Sequence, residues 1–210
     1  VNWYYKAATI SAICSAASLL AITFLINRWE APFLYILVLA FAWQYSCKPL
    51  ALAYRGLGEI TVFILFGPVC IAGGSFFSGA GYPDLELLIL SIVFGFLTSG
   101  ILIANEIPDA ETDAEGGKNT LVVKIGAEKG WILFLMLELM AWATILYCAH
   151  KNYISTSAAG FSFLGFPPAF FAAVILKKYH DNKDKLTISS KLAISAQLLV
   201  GGVFILEEIL

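Results

Sequence analysis

The sequence predicts an all-α bundle of membrane-crossing helices, and three observations carry that prediction. Hydrophobic residues make up 60% of the 210-residue chain. Charged residues make up only 13%, about half the roughly 25% usual in soluble domains, and the mean hydropathy is +0.82. The apolar residues fall in continuous runs near the roughly 20 residues that span a hydrocarbon core, without the strict alternation of barrel strands.

Seven such runs follow one another, at 7–26, 33–46, 60–77, 85–104, 130–149, 158–176 and 188–210. The second is short, and its Trp43 and Tyr45 suit a membrane–water interface. Gly56 and Gly58 permit a tight turn into the third. Gly95, Ser99 and Gly100 on the fourth are small enough to let helices approach closely. The fifth carries a lone acid, Glu138. Pro167 and Pro168 predict a kink in the sixth. No linker, low-complexity tract or repeat interrupts the series, so residues 1–210 read as one transmembrane domain.

The connections orient the bundle, because Lys and Arg concentrate on the cytoplasmic side. With the N-terminus placed there, that side holds Lys6, Lys48, Arg55, Lys118, Lys124, Lys129, Lys177, Lys178, Lys183, Lys185 and Lys191. The opposite side keeps only Arg28 and Lys151, and eleven plus two accounts for all 13. The net charge of −2 and the lack of a basic, aromatic-interleaved stripe argue against a nucleic-acid partner. Cys14, Cys47, Cys70 and Cys148 form no C-x-x-C pair and read as small buried hydrophobes. His150 and His180 are isolated, and the Lys177, Lys178, Lys183, Lys185 cluster reads as an anchor for anionic lipid.

The informative polar stretch is IANEIPDAETDAEGGKNTLVVKIG, 103–126, directly after the fourth run. Asn105, Asp109 and Asp113 recur every four residues, so a helix sets them on one face, with Glu106 joining three residues before Asp109. Three oxygen-bearing side chains on one face suit Mg²⁺, which takes one or two carboxylates, keeps waters and binds substrate phosphates. Lys118, just past Gly116 and Gly117, offers those phosphates a positive charge. A second polar loop, YSCKPLALAYRGLGE at 45–59, lies on the same predicted side with Lys48, Tyr54, Arg55 and Glu59. An anionic group could be held between its cations and a metal on 105–113.

These two stretches carry a resemblance. N-E-I-P-D-A-E-T-D-A-E-G-G-K-N-T-L-V-V at 105–123 resembles the second aspartate motif of the UbiA family of membrane prenyltransferases. Y-R-G-L-G-E-I-T-V-F-I-L-F-G-P at 54–68 is similar to the same region of that family's 1,4-dihydroxy-2-naphthoate polyprenyltransferases. The resemblance implies nine transmembrane helices around a central cavity, and Mg²⁺-dependent transfer of a polyprenyl group from its diphosphate to a small aromatic acceptor. It implies Asp109 and Asp113 as catalytic, metal-binding aspartates and Asn105 as the motif's leading Asn. It places Lys118 near the diphosphate and Lys48, Tyr54 and Arg55 in the other substrate-binding loop.

Ala51 stands where that loop often carries a basic residue. The family's first acidic motif has no counterpart: Glu30 is the single acid upstream of Glu59, and the chain opens on Val1. The expectation is that the first two helices and the first motif precede this sequence, and that the chain as written does not turn over alone. The resemblance leans toward naphthoate and menaquinone synthesis, with 4-hydroxybenzoate, haem, chlorophyllide and glycerol-lipid precursors as alternative acceptors. A transporter reading rests on Glu138 alone.

Overall fold

A computed structural model describes residues 2–209, and among them there are helices and turns but no strand. Eight helices follow in order: α1 (Asn2–Ile26), α2 (Ala31–Ser46), α3 (Gly58–Phe77), α4 (Leu85–Glu115), α5 (Leu121–Ile125), α6 (Ala127–His150), α7 (Thr156–Lys178) and α8 (Lys183–Ile209). Six are long and apolar enough to cross a membrane. The expected seventh span is α2, whose 16 residues reach about 24 Å at 1.5 Å per residue, short of the roughly 30 Å hydrocarbon core. The expected last position of the seventh run, Leu210, lies outside the described residues.

Each helix overruns its apolar run because polar first and last turns continue the same backbone. The largest extension is α4, which carries the acidic motif on to Glu115. Asp84 caps its start by accepting from Leu87 N–H at 2.8 Å. Pro108 sits inside it and leaves the Ala104 carbonyl without its helical donor.

In α7 the expected kink is a 3₁₀ turn, Phe163–Gly165, immediately before Pro167 and Pro168. A break the sequence analysis did not predict interrupts α3, where Leu65–Val69 widens into a π turn around Pro68.

The core is built around α4, which packs against α3, α6 and α8. One half buries Val93, Leu97, Trp142, Ile145 and Val200, and the half toward the acidic motif buries Ile103, Ile107, Val122, Phe134 and Leu176. Small residues set the α3–α4 spacing, as Gly95 and Ser99 suggested. A Cβ on Gly67 would lie 2.9 Å from the Gly95 Cα and 2.9 Å from the Ser91 carbonyl oxygen. Ser99 Oγ donates to the Glu59 carbonyl at 3.0 Å.

Glu138 is 2% exposed, and among the described residues neither of its carboxyl oxygens has a hydrogen-bond partner. All four cysteines are free. Only Cys148 is a buried hydrophobe as expected; Cys14 and Cys70 are exposed and Cys47 is half-buried.

Candidate active site

The acidic end of α4 meets the loop between α2 and α3 and the turn into α5. That loop begins where α2 ends at Cys47 and passes a cis Lys48–Pro49 bond. Ala51 adopts a left-handed conformation, and a 3₁₀ turn follows over Leu52–Arg55. Gly56, with φ of +72°, ends that turn, and Gly58 opens α3. At Gly56 a side chain would meet strain as well as Lys124 Nζ.

Three hydrogen bonds join this loop and the start of α3 to the turn after the motif. Asn119 N–H donates to the Tyr54 carbonyl at 3.1 Å, and Lys124 Nζ donates to the Arg55 carbonyl at 3.0 Å. Leu121 N–H donates to Glu59 Oε1 at 3.0 Å. With Thr120 Oγ1 accepting from Val123 N–H at 3.2 Å, Glu59 satisfies the first free donors of α5 from a distant helix.

Helix geometry sorts the motif's acids by direction. Each four-residue step drifts about 40° around a helix of 3.6 residues per turn, so Asn105 and Asp109 face outward and are exposed. Asp113 has drifted about 80° from Asn105. It is half-buried and pairs with Lys118 Nζ at 2.8 Å. Glu106, about 100° round, does not join the open face as expected. It is 4% exposed and rests against the Glu59 carboxyl, itself 5% exposed. Glu59 Oε2 and Glu106 Oε2 have no hydrogen-bond partner among the described residues.

Burial lowers the tendency of Lys118 to stay protonated, but its hydrogen bond to Asp113 and the charges of Asp113 and Glu106 outweigh that, raising it above the ordinary lysine value.

Tyr45, near the end of α2, lies within electrostatic range of Glu106, Lys118, Glu59 and Asp113. It also lines a cavity of about 990 Å³ between α2 and α3. The cavity runs from Tyr45, Ala42 and Val62 to Phe76, Phe77 and Tyr82 with almost wholly apolar walls. A second apolar recess, about 300 Å³, also reaches Glu59, between α3, α4 and α6.

Of the residues singled out from sequence, Asp113 and Lys118 come together, and Asn105 and Asp109 share the adjoining open face. Lys48, Tyr54 and Arg55 are exposed on the neighbouring loop. Arg55 Nη2 turns back to the Pro49 carbonyl at 2.9 Å. Among the described residues no hydrogen bond or ion pair joins these three side chains to the aspartates. Tyr45 and the Glu59–Glu106 contact were not anticipated.

Among the described residues no three His, Cys, Asp or Glu side chains form a ready-made metal cage. The open face offers the Asp109 carboxylate and the Asn105 carboxamide, with the half-buried Asp113 carboxylate next to it on Lys118; oxygen donors of this kind fit a hard cation whose shell is completed by water and phosphate.

An all-helical bundle with six helices long and apolar enough to cross a membrane, an acid-rich end and an apolar cavity beside it defines a class of polytopic membrane proteins. The profile of the UbiA prenyltransferase family matches residues 5–195, and the chain belongs to that family.

The 1,4-dihydroxy-2-naphthoate octaprenyltransferase of Haemophilus influenzae is 34% identical over 113 residues, 54% of this chain and 35% of that protein. The enzyme of the same name from Mycobacterium leprae is 36% identical over 88 residues, 42% of this chain and 30% of its own. The chloroplastic 2-carboxy-1,4-naphthoquinone phytyltransferase of Arabidopsis thaliana is 25% identical over 177 residues, 80% of this chain and 46% of its own. The chain thus spans less than half the length of each of these relatives. No solved structure matches it.

Proposed function

We propose that the protein transfers a polyprenyl group from its diphosphate to an aromatic acceptor at the acidic mouth of α4. The observation that carries this reading is the junction at Tyr45. On one side lies the Asp113–Lys118 pair, on the helix that also carries Asn105 and Asp109, and on the other opens an apolar cavity of about 990 Å³. A diphosphate head on an isoprenoid tail has the same division of character.

In this reading Asn105, Asp109 and Asp113 hold Mg²⁺, which neutralises negative charge building up on the departing diphosphate. Lys118 supports the same oxygens electrostatically. Lys48, Tyr54 and Arg55 form the facing substrate loop. The bond between the allylic carbon and the diphosphate oxygen breaks with its electron pair leaving on the diphosphate. The allylic carbon then bonds to a nucleophilic ring carbon, and the ring regains aromaticity by losing a cationic group, in the simplest case a proton. With α2 counted as a crossing, the eleven-to-two distribution of basic residues supports a cytoplasmic position for the mouth. The names of the relatives support a naphthoate-type acceptor in quinone synthesis.

The test reconstitutes the full-length protein in lipid vesicles and follows prenylated product and diphosphate from labelled polyprenyl diphosphates. A panel spans naphthoate, hydroxybenzoate and glycerol-lipid acceptors, with Mg²⁺ present or chelated. Expected are turnover with a naphthoate, loss on chelation, and loss in Asp109→Ala. Turnover only with a non-aromatic acceptor would overturn the acceptor class. Undiminished turnover in chelator would overturn the metal assignment.

A further inference from the structure

We propose that Phe76, backed by Arg28, is the end wall of the apolar cavity and sets the longest polyprenyl chain the protein accepts. The inference rests on the prenyl-transfer reading above and adds a specificity determinant far from the chemistry.

Along its α3 side the cavity passes Val62, Leu65 and Phe66, then Val69, Cys70, Ala72 and Gly73, before it meets the buried ring of Phe76. The short side chains from Val69 to Gly73 give a tail room beyond Phe66. At Gly73 an added Cβ would find nothing within 4 Å.

Phe76 closes this run and is held from several sides. It is 2% exposed, and its ring centroid lies 5.3 Å from that of Phe77 and 5.3 Å from that of Tyr82, which covers it from outside. The Arg28 guanidinium carbon stands 5.1 Å from the Phe76 centroid and 6.0 Å from that of Tyr82, a cation–π arrangement that resists swinging the ring aside.

Arg28 is fixed in turn. Glu30 Oε1 is 3.9 Å from it, and a Cβ on Gly81 would come within 3.3 Å of its Nη2. Ser75 Oγ holds the turn carrying Gly81 by donating to that residue's carbonyl at 3.0 Å. A tail running along α3 from Tyr45 to this end of the cavity meets a braced ring with a charge behind it.

The experiment uses the full-length protein in vesicles and a ladder of all-trans polyprenyl diphosphates, from two isoprene units upward. The readout is the ratio of kcat/KM for each longer donor to that for the preferred one, taken within a single preparation so that folding yield cancels. The wild type should show a cut-off. Phe76→Ala should raise the ratio for donors just beyond it about tenfold or more, the scale on which an apolar pocket discriminates a surplus hydrocarbon group. Arg28→Gln should shift it the same way by less. Gly73→Phe, which fills open space, should move the cut-off to shorter donors, and it tests the wall independently if Phe76→Ala fails to fold.

A wild type without a cut-off, or a cut-off unmoved by both Phe76→Ala and Gly73→Phe, would overturn the assignment while leaving prenyl transfer intact. A wild type that transfers no polyprenyl group from any donor would overturn the underlying reading, and this one with it.

Discussion

Two sets of oxygen-bearing side chains on or against α4 share one short stretch of structure and differ in everything else. Asn105 and Asp109 lie open at the mouth, while Glu106 and Glu59 are buried against each other a fraction of a turn away. Among the described residues the side chains of the open set make no hydrogen bond or ion pair. The buried set joins three: Glu59 holds the start of α5 through Leu121 N–H, its carbonyl receives Ser99 of α4, and its carboxyl meets Glu106. Acidity alone therefore does not mark a ligand-binding residue here. What separates the roles is whether the oxygens are free to take a partner from outside the chain.

The sharpest test of this division compares substitutions across it. Asp109→Ala and Asp113→Ala should each lower turnover about 10²–10³-fold, the scale of a lost electrostatic contact to a developing charge. Asp109→Ala should leave unfolding in mild detergent within about 0.5 kcal/mol of wild type, because its side chain is exposed. Glu59→Ala should do the reverse. It strands a backbone donor, costs about 1–3 kcal/mol of stability and lowers the unfolding midpoint, while Glu59→Gln, which keeps an acceptor, restores most of it. If Glu59→Gln instead matched Asp109→Ala in lost turnover at unchanged stability, the division would be wrong.

The smallest effect concerns Lys118, which pairs with Asp113 and also feels the charge of Glu106. Its folded-state proton affinity lies above the unfolded value, so its contribution to stability is fully present below the ordinary lysine range and is lost as pH rises through the higher folded value. Unfolding midpoints of wild type and Lys118→Met should differ by a constant amount through neutral pH and converge only in strongly alkaline solution.

Much of this architecture was legible from local pattern. Span order follows from apolar runs, and the shared direction of Asn105 and Asp109 follows from four-residue spacing. The 3₁₀ turn before Pro167 and Pro168, and the close passage of α3 over Gly95, follow from residue type. Glu106 was misplaced because a three-residue step to Asp109 was read without the accompanying turn about the axis, which carries it into the packed side. Tyr45 and Glu59 become site-adjacent only through contacts between segments some 60 positions apart in the chain, such as Glu59 with Leu121, and no local pattern records such a contact. The π turn at Leu65–Val69 did have a sequence mark, Pro68 inside an apolar run.

Glu138 has a consequence for how the protein is made. During synthesis α6 reaches the membrane-insertion machinery before α7 and α8 have left the ribosome, so its central acid is presented to lipid with only the earlier helices available to shield it. An acid at that depth costs about 2.5–3.5 kcal/mol for insertion. The mean hydropathy of 2.0 along α6 supplies the counterweight. Gly100 of α4, where a Cβ would stand 3.2 Å from Glu138 Oε1, offers a notch already waiting in the bilayer. A bulky residue at position 100 would close that notch, and the defect would surface first as failed insertion of α6 in the nascent chain, before any catalytic assay could register it.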